Sequence, residues 1–138
     1  MRIYLAARYS RREELCGYAR ILEAAGHEIT SRWLDGGHQI PPDQEEAVVR
    51  AEGERFARED IEDVRRAECV IAFTEQPREG TSRGGRHVEL GLALAWEKRL
   101  RIVGPRENVF CWLPEVMVYP TFEDLMACLN HAVREGLL

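Results

Sequence analysis

Residues 69–94, CVIAFTEQPREGTSRGGRHVELGLAL, join a short apolar run to an apolar helical segment through a loop of small and basic residues. The run CVIAFT (69–74) is apolar at nearly every position, which is typical of a strand covered on both faces. The loop over 75–85 leads directly into the helical segment. A strand followed in this way by a helix indicates one unit of a parallel α/β sheet.

The rest of the chain repeats this alternation of strand and helix. Four further runs are predicted as strands: 2–7, 27–33, 99–104 and 116–120. No internal repeat, low-complexity tract or linker interrupts them. Five strands with this spacing predict a flavodoxin-like (Rossmann-like) doubly wound five-stranded parallel sheet, in a single domain over 1–138.

Capping residues set the predicted helix ends. Ser10 with Glu13 forms a capping-box pattern before the first helix, and Gly26 is a plausible stop. A second helix is predicted from about 44 to 67, where Gly53 could divide it. Thr121 with Asp124 predicts the start of a closing helix, whose buried stripe is Phe122, Leu125, Met126, Leu129 and Val133.

Composition excludes several classes of protein. The chain has 138 residues with 45% hydrophobic and 31% charged residues, and its net charge of −5 argues against binding to polymeric nucleic acid. No apolar stretch approaches the length of a signal-peptide core or a membrane span, so we expect a cytoplasmic protein. The four cysteines form no CxxC pair and are expected to be reduced core thiols rather than metal ligands.

Three loops are predicted to meet at the carboxyl ends of the strands, where doubly wound sheets bind ligands. They cover 6–12, 74–85 and 104–110. Paired glycines at the start of a helix allow a ligand to approach the backbone, and the helix N-terminus attracts anions. The predicted substrate-binding residues are Ala7, Arg8, Ser10, Arg11, Ser82, Arg83, Gly84, Gly85 and Asn108.

Carboxylates are the candidate reactive groups. Glu89, one turn into the helix, either points into this pocket or simply faces solvent near the positive end of the helix. Asp60 and Asp63 share one face of the second helix, where a solvated charged surface is the alternative for Asp63. The sequence HVE (87–89) matches part of a zinc-deaminase motif, but no PCxxC follows, so that class is excluded.

Taken together, RIYLAA with Tyr4, EDIEDVRRAECVIAF (59–73), the glycine-containing loop and HVELGLALA (87–95) resemble the nucleoside 2-deoxyribosyltransferase superfamily. That superfamily includes the deoxynucleoside 5′-monophosphate N-glycosidases. The resemblance covers roughly residues 2–104. Its two sharpest parts are the acidic helix end before the third strand and the G-x-x-x-E-L-G-x-A turn.

The resemblance implies a function for each reactive residue. Glu89 would be the nucleophile on the anomeric carbon of a (deoxy)ribose, because a carboxylate can stabilise an oxocarbenium-like state and trap the sugar. Asp60 would donate a proton to the departing base or orient it, and Tyr4 would orient Glu89. Arg83, beside Ser82, stands at the loop position where transferases of this superfamily commonly carry an Asp that holds the base or sugar. The resemblance also implies a nucleoside or nucleotide as partner, no metal or cofactor, and a homodimer or higher oligomer.

Several alternatives remain open from the sequence. Arginines near the pocket favour a 5′-phosphate on the substrate, unless they pair with acids such as Glu13 and Glu14. Trp33 could stack on a base or belong to the core, and Asn108 could contact substrate or lie on a surface loop. Hydrolysis and base exchange are both compatible with the motifs. An NAD-type glycohydrolase and a nucleotide-binding module without turnover are the rival functions.

Overall fold

The structure, a computed structural model, describes residues 1–76 and 84–138. Its sheet has five parallel strands in the order β2-β1-β3-β4-β5. The strands are β1 (Arg2–Ala6), β2 (Glu28–Ile29), β3 (Cys69–Phe73), β4 (Arg99–Val103) and β5 (Met117–Tyr119). The helices are α1 (Arg12–Ala24), α2 (Glu46–Arg66), α3 (Gly85–Ala95) and α4 (Phe122–Arg134). This order is that of a flavodoxin-like sheet, and the predicted fold class is confirmed.

The central strands carry both the core and the site. Side chains on β1 alternate between the two faces of the sheet, and those from Ile3 to Ala6 are fully buried. On one face, Tyr4 reaches α3. On the other face, Tyr18 of α1 stacks on Phe73 and on Phe122 of α4. The strand order reverses between β1 and β3, so the segments that follow these two strands flank the predicted ligand crevice.

The predicted second strand is wrong in extent. Only Glu28–Ile29 pairs with β1, and Arg32–Asp35 forms a 3₁₀ turn. Two interactions turn the chain inward here: the Arg32 backbone N–H donates to Asp63 at 2.8 Å, and the Trp33 indole N–H donates to the Leu5 carbonyl at 2.8 Å. Trp33 is therefore a core residue, as the second of the two readings had it.

Two helix predictions are also wrong. Tyr9–Arg11 is a 3₁₀ turn held by the Arg11 N–H on the Arg8 carbonyl, so α1 begins at Arg12 and Ser10 forms no cap. Gly53 does not divide α2, which runs unbroken to Arg66. The first half of α2 is largely exposed, and ion pairs between successive turns stabilise it. These pairs join Arg50 to Glu46, Arg55 to Glu52 and Arg58 to Glu54.

The predicted end of the first helix and the predicted start of the last one are confirmed. Gly26 adopts φ 88° after α1, and the Gly26 and His27 N–H groups close a Schellman motif on Glu23 and Leu22. Thr121 and Asp124 exchange the hydrogen bonds of a capping box. Val133, expected in the buried stripe of α4, is instead half exposed. The four cysteines are free thiols, and no described helix is long and apolar enough to cross a membrane.

Candidate active site

A buried tyrosine and a carboxylate meet where β1 faces α3. The Tyr4 hydroxyl donates a hydrogen bond to Glu89 Oε1 at 2.8 Å. Tyr4 is inaccessible to solvent in the middle of β1, whereas Glu89 is partly exposed on the first turns of α3. Glu89 therefore points toward the crevice side of the sheet rather than freely into solvent. Its Oε2 atom has no hydrogen bond from another side chain within the described residues.

The surroundings of Glu89 favour its neutral form. Burial raises the pKa of Glu89, the hydrogen bond from Tyr4 lowers it, the charge of Asp60 raises it and that of Arg86 lowers it, and the net result is a pKa of about 8. Burial, followed by the charges of Glu89 and Asp60, raises the pKa of Tyr4 well above its ordinary value. The hydroxyl consequently stays protonated and serves as a permanent donor to Glu89.

Asp60 is the second perturbed acid. Burial, and after it the charges of Asp63 and Glu59, raise the pKa of Asp60 to about 7, although the charge of Arg32 lowers it. Its Oδ1 atom is buried without a hydrogen-bond partner among the described residues. Because the charge of Asp60 raises the pKa of Glu89, the titrations of the two acids are linked. Acids with raised pKa values that influence each other are typical of sites of acid–base and nucleophilic chemistry.

Asp63, one turn further along α2, has a different role. It is fully buried, and its carboxylate accepts hydrogen bonds from the Arg32 backbone N–H and Nε, each at 2.8 Å, and from an Arg66 guanidinium N–H at 3.0 Å. The solvated-surface interpretation is therefore wrong for this residue. Asp63 holds the 3₁₀ turn after β2 against the end of α2.

His38 is a neighbour of Asp60 that sequence reasoning missed. Its ring stacks on Phe56, and its Nε2 lies 2.9 Å from Glu59 Oε2 and 3.8 Å from Asp60 Oδ1. The sequence predicts only a loop over 34–43. No spacing rule connects a loop histidine to residues some twenty positions later, so only the folded arrangement reveals the contact.

The predicted arginines after β1 are already paired with acids. Glu75, just after β3, lies 3.4 Å from Arg8 Nε and 3.2 Å from an Arg11 guanidinium nitrogen. Arg11 also binds Glu14 at 2.8 Å. Ala7 is half-buried beside these groups, and Ser10 is exposed on the 3₁₀ turn. These arginines therefore hold the two loops together, which weakens the case that they await a phosphate.

Arg86 has the clearest unused hydrogen-bonding capacity in the described part of the site. This side chain is buried on the first turn of α3 and pairs with Glu107, which in turn accepts the Glu75 backbone N–H at 2.8 Å. The Nε and one terminal nitrogen of Arg86 have no hydrogen-bond partner among the residues described. Glu107 itself was not predicted, because an acid in a loop after β4 has no distinctive pattern.

The start of α3 has the predicted glycines. Gly84 adopts φ 83° as the residue before the helix, and Gly85 is the first helical residue. A side chain with a Cβ would be strained at Gly84, so the position suits glycine. Ser82 and Arg83 lie outside the described residues.

Asn108 lies away from the acids. It is exposed, and its Oδ1 accepts the Phe110 N–H at 3.0 Å, which caps the 3₁₀ turn Val109–Trp112. This turn borders an apolar cavity of about 400 Å³ against α3 and β4. None of Tyr4, Asp60 and Glu89 lines this cavity. Its polar or reactive lining groups are His87, Asn108 and Cys111, and its other lining residues are Leu90, Gly91, Leu94, Leu100, Ile102 and Phe110.

Comparison with known proteins finds similarity in structure only. No protein-family model and no curated protein sequence matches the chain. Among solved structures, the CMP N-glycosidase BcmB of Clostridium botulinum is similar, with a TM-score of 0.60 and 18% sequence identity. The match covers 95% of this chain and 99% of that one. At this identity the likeness establishes the shared α/β fold.

Proposed function

We propose that this protein cleaves the N-glycosidic bond of a nucleoside or its 5′-monophosphate, with Glu89 as nucleophile. The observation that carries the proposal is the hydrogen bond from Tyr4 to Glu89, beside a second acid, Asp60, whose Oδ1 lacks a partner among the described residues. The fold similarity to a CMP N-glycosidase supports the same reaction class. The sequence resemblance points to these three residues independently.

The chemistry divides into two steps. In the protonation state with Glu89 ionised and Asp60 protonated, Glu89 Oε2 attacks the anomeric carbon while the bond from that carbon to the base nitrogen breaks and its electron pair goes to the base. Asp60 gives its proton to that nitrogen, and the Tyr4 hydroxyl holds Oε1 in place. In the second step, water or another base displaces Glu89 from the sugar. When water attacks, it gives one proton to Asp60, and Glu89 leaves the sugar as a carboxylate. Both acids are then back in their starting states.

A 5′-phosphate would be held chiefly by Arg86 and the start of α3. Two Arg86 nitrogens without a hydrogen-bond partner among the described residues, and the positive end of the helix, both favour an anion. Arg11 contributes less, because Glu14 and Glu75 already bind its guanidinium, and Arg8 has a single buried nitrogen, Nε, without a hydrogen-bond partner within the described residues. We therefore expect Arg86→Gln to raise KM for monophosphates more than for free nucleosides.

The decisive experiment is chromatography of free base released from a panel of nucleosides, deoxynucleosides and their 5′-monophosphates. Wild type is compared with Glu89→Gln and with Glu115→Gln, a matched control at an exposed loop position. We expect release by wild type and the control, and at least a thousandfold loss in Glu89→Gln. Addition of a second base as acceptor separates transfer from hydrolysis.

Other outcomes would select the rival functions. Turnover of NAD without release from the panel would favour an NAD-type glycohydrolase. Tight nucleotide binding that Glu89→Gln leaves unchanged, without any product, would favour a binding module. Either result contradicts the proposal.

We also propose that the chain forms a homo-oligomer through the apolar cavity between α3 and the turn Val109–Trp112. Several apolar side chains around it are more than half exposed: Val88, Val109, Phe110 and Trp112. Light scattering coupled to gel filtration should give a dimer or larger species, and Phe110→Asp should shift it toward the monomer. A wild-type monomer at high protein concentration would contradict this.

A cytoplasmic location stays a prediction from the sequence.

A further inference from the structure

His38 lies in a nearly enclosed position beside α2. Its side chain is only 9% exposed, and its ring stacks on Phe56 with the ring centres 4.6 Å apart. Because Phe56 precedes Glu59 and Asp60 by one helical turn, the stacking holds the imidazole edge against both carboxylates. An imidazole in this place is fixed by packing and is not a mobile surface group.

Two buried polar atoms near this edge lack hydrogen bonds. His38 Nε2 and Asp60 Oδ1 lie 3.8 Å apart, and neither makes a hydrogen bond with any residue that the structure describes. Glu59 Oε2 is 2.9 Å from Nε2, which favours a proton on that nitrogen. A buried acceptor without a hydrogen bond is costly, and a movement of about 1 Å would bring His38 Nε2 within hydrogen-bond distance of Asp60 Oδ1.

Other charged groups leave His38 as the basic partner available to Asp60. Arg32 commits its backbone N–H and Nε to Asp63 and another guanidinium N–H to the Glu59 carbonyl. The remaining titratable groups that act on Asp60 or its surroundings are acids or a neutral phenol: Glu59, Asp63, Glu89 and Tyr4. Arg55 contacts Glu59 at 3.5 Å from the exposed side of α2.

We propose that His38 is a positioning residue for Asp60: Nε2–H donates to Oδ1 and thereby turns the protonated Oδ2 toward the departing base. The inference rests on the function proposed above. When Oδ2–H gives its proton to the base nitrogen, Asp60 becomes a carboxylate, which the His38 N–H then stabilises. The proton returns to Oδ2 from the attacking water, so His38 undergoes no net change.

The test compares three substitutions in the full-length protein. His38→Phe keeps a ring against Phe56 but removes the donor. His38→Gln keeps an N–H donor of similar reach. His131→Phe, at an exposed position in the last turn of α4, controls for loss of a histidine. Thermal unfolding of each variant establishes that it is folded.

We measure base release as a function of pH for each of these variants. A double mutant that combines His38→Phe with Asp60→Asn is measured in the same way. We expect His38→Phe to lose about tenfold in kcat with little change in KM, and His38→Gln to recover most of it. His38→Phe should also move the alkaline limb of the kcat profile. In the Asp60→Asn background, the same substitution should cost nothing further, because His38 acts through Asp60.

The outcomes separate this inference from the proposed function. Base release by wild type with equal loss from His38→Phe in both backgrounds, or with an unmoved pH profile, would assign His38 a purely structural role and overturn the inference alone. Failure of wild type to release base from any substrate would overturn both.

Discussion

Asp60 and Asp63 lie one turn apart on the same helix, yet their surroundings make them opposites. Asp63 is fully buried and receives hydrogen bonds from Arg32 and Arg66. Asp60 is partly buried, its Oδ1 has no hydrogen bond within the described residues, and its pKa is raised to about 7. A buried acid that receives hydrogen bonds from cations is held as a structural carboxylate, whereas a buried acid without such donors has a raised pKa and keeps a proton available for chemistry.

The largest effect expected from either aspartate is on stability, from Asp63→Asn. It removes the charge that Arg32 and Arg66 share inside the fold, and so we expect the free energy of unfolding to fall by about 3 kcal/mol at pH 7. Urea unfolding monitored by circular dichroism measures it. Asp60→Asn is the matched control and should unfold at the same urea concentration as wild type or higher. Equal losses from both substitutions would erase the distinction.

Asp60→Asn should have the next largest effect, on turnover. Without an acid to protonate the departing base, we expect kcat to fall about a hundredfold, which corresponds to roughly 2.7 kcal/mol in the barrier. The loss should be smaller for a substrate whose base leaves readily as an anion. Single-turnover release of base measures it, and an undiminished rate would remove Asp60 from the mechanism.

The pH dependence of stability should be the third effect. Asp60 and Glu89 have pKa values raised to about 7 and about 8, so folding favours their protonated forms. Their contribution is complete below about pH 4 and is lost as pH rises through 7 and 8. We expect unfolding to cost about 1–2 kcal/mol less at pH 8.5 than at pH 5.5, after allowance for partial exposure.

A double mutant tests which groups cause this slope. The free energy of unfolding of the double mutant Glu89→Gln, Asp60→Asn should be nearly independent of pH over this range. At pH 8.5 it should be higher than that of wild type. Urea unfolding at the two pH values provides the comparison. A slope that persists in the double mutant would assign it to other groups.

The smallest effect should come from Tyr4→Phe. The Tyr4 hydroxyl lowers the pKa of Glu89, so its removal leaves less of the ionised nucleophile at pH 7. We expect kcat/KM to fall about fivefold at pH 7 and less at pH 9, where a larger fraction of Glu89 is ionised in both proteins. A loss that is constant across this range would mean that Tyr4 only packs.

Sequence reasoning succeeded where the signal is local. Apolar runs identify the strands, Thr121 with Asp124 forms the predicted cap, and Gly26 ends α1 as expected. It failed where a distant group intervenes. The predicted second strand stops early because Asp63 and the Leu5 carbonyl take the donors of Arg32 and Trp33.

In the candidate site too, the residues with local signals could be predicted, and the contacts between distant parts of the chain could not. A helix start with glycines and a carboxylate singles out Glu89 from its own neighbourhood, and the family resemblance adds Tyr4 and Asp60. The pairing of Arg8 and Arg11 with Glu75, and of Arg86 with Glu107, joins loops that are far apart in the chain. His38 belongs to this second group, because only the packing of its loop on Phe56 brings it to Asp60.

The sequence by itself determined the order of strands and helices and the residue types at the carboxyl edge of the sheet, because periodicity and capping are short-range effects. The tertiary structure alone decided which of these charges are neutralised. Electrostatic pairing depends on distance in space and on burial, and neither is written in the spacing of residues along the chain. Asp60 and Asp63 are three residues apart in sequence, and the positions of Arg32 and Arg66 in the fold distinguish the acid that has hydrogen-bond partners from the one proposed to react.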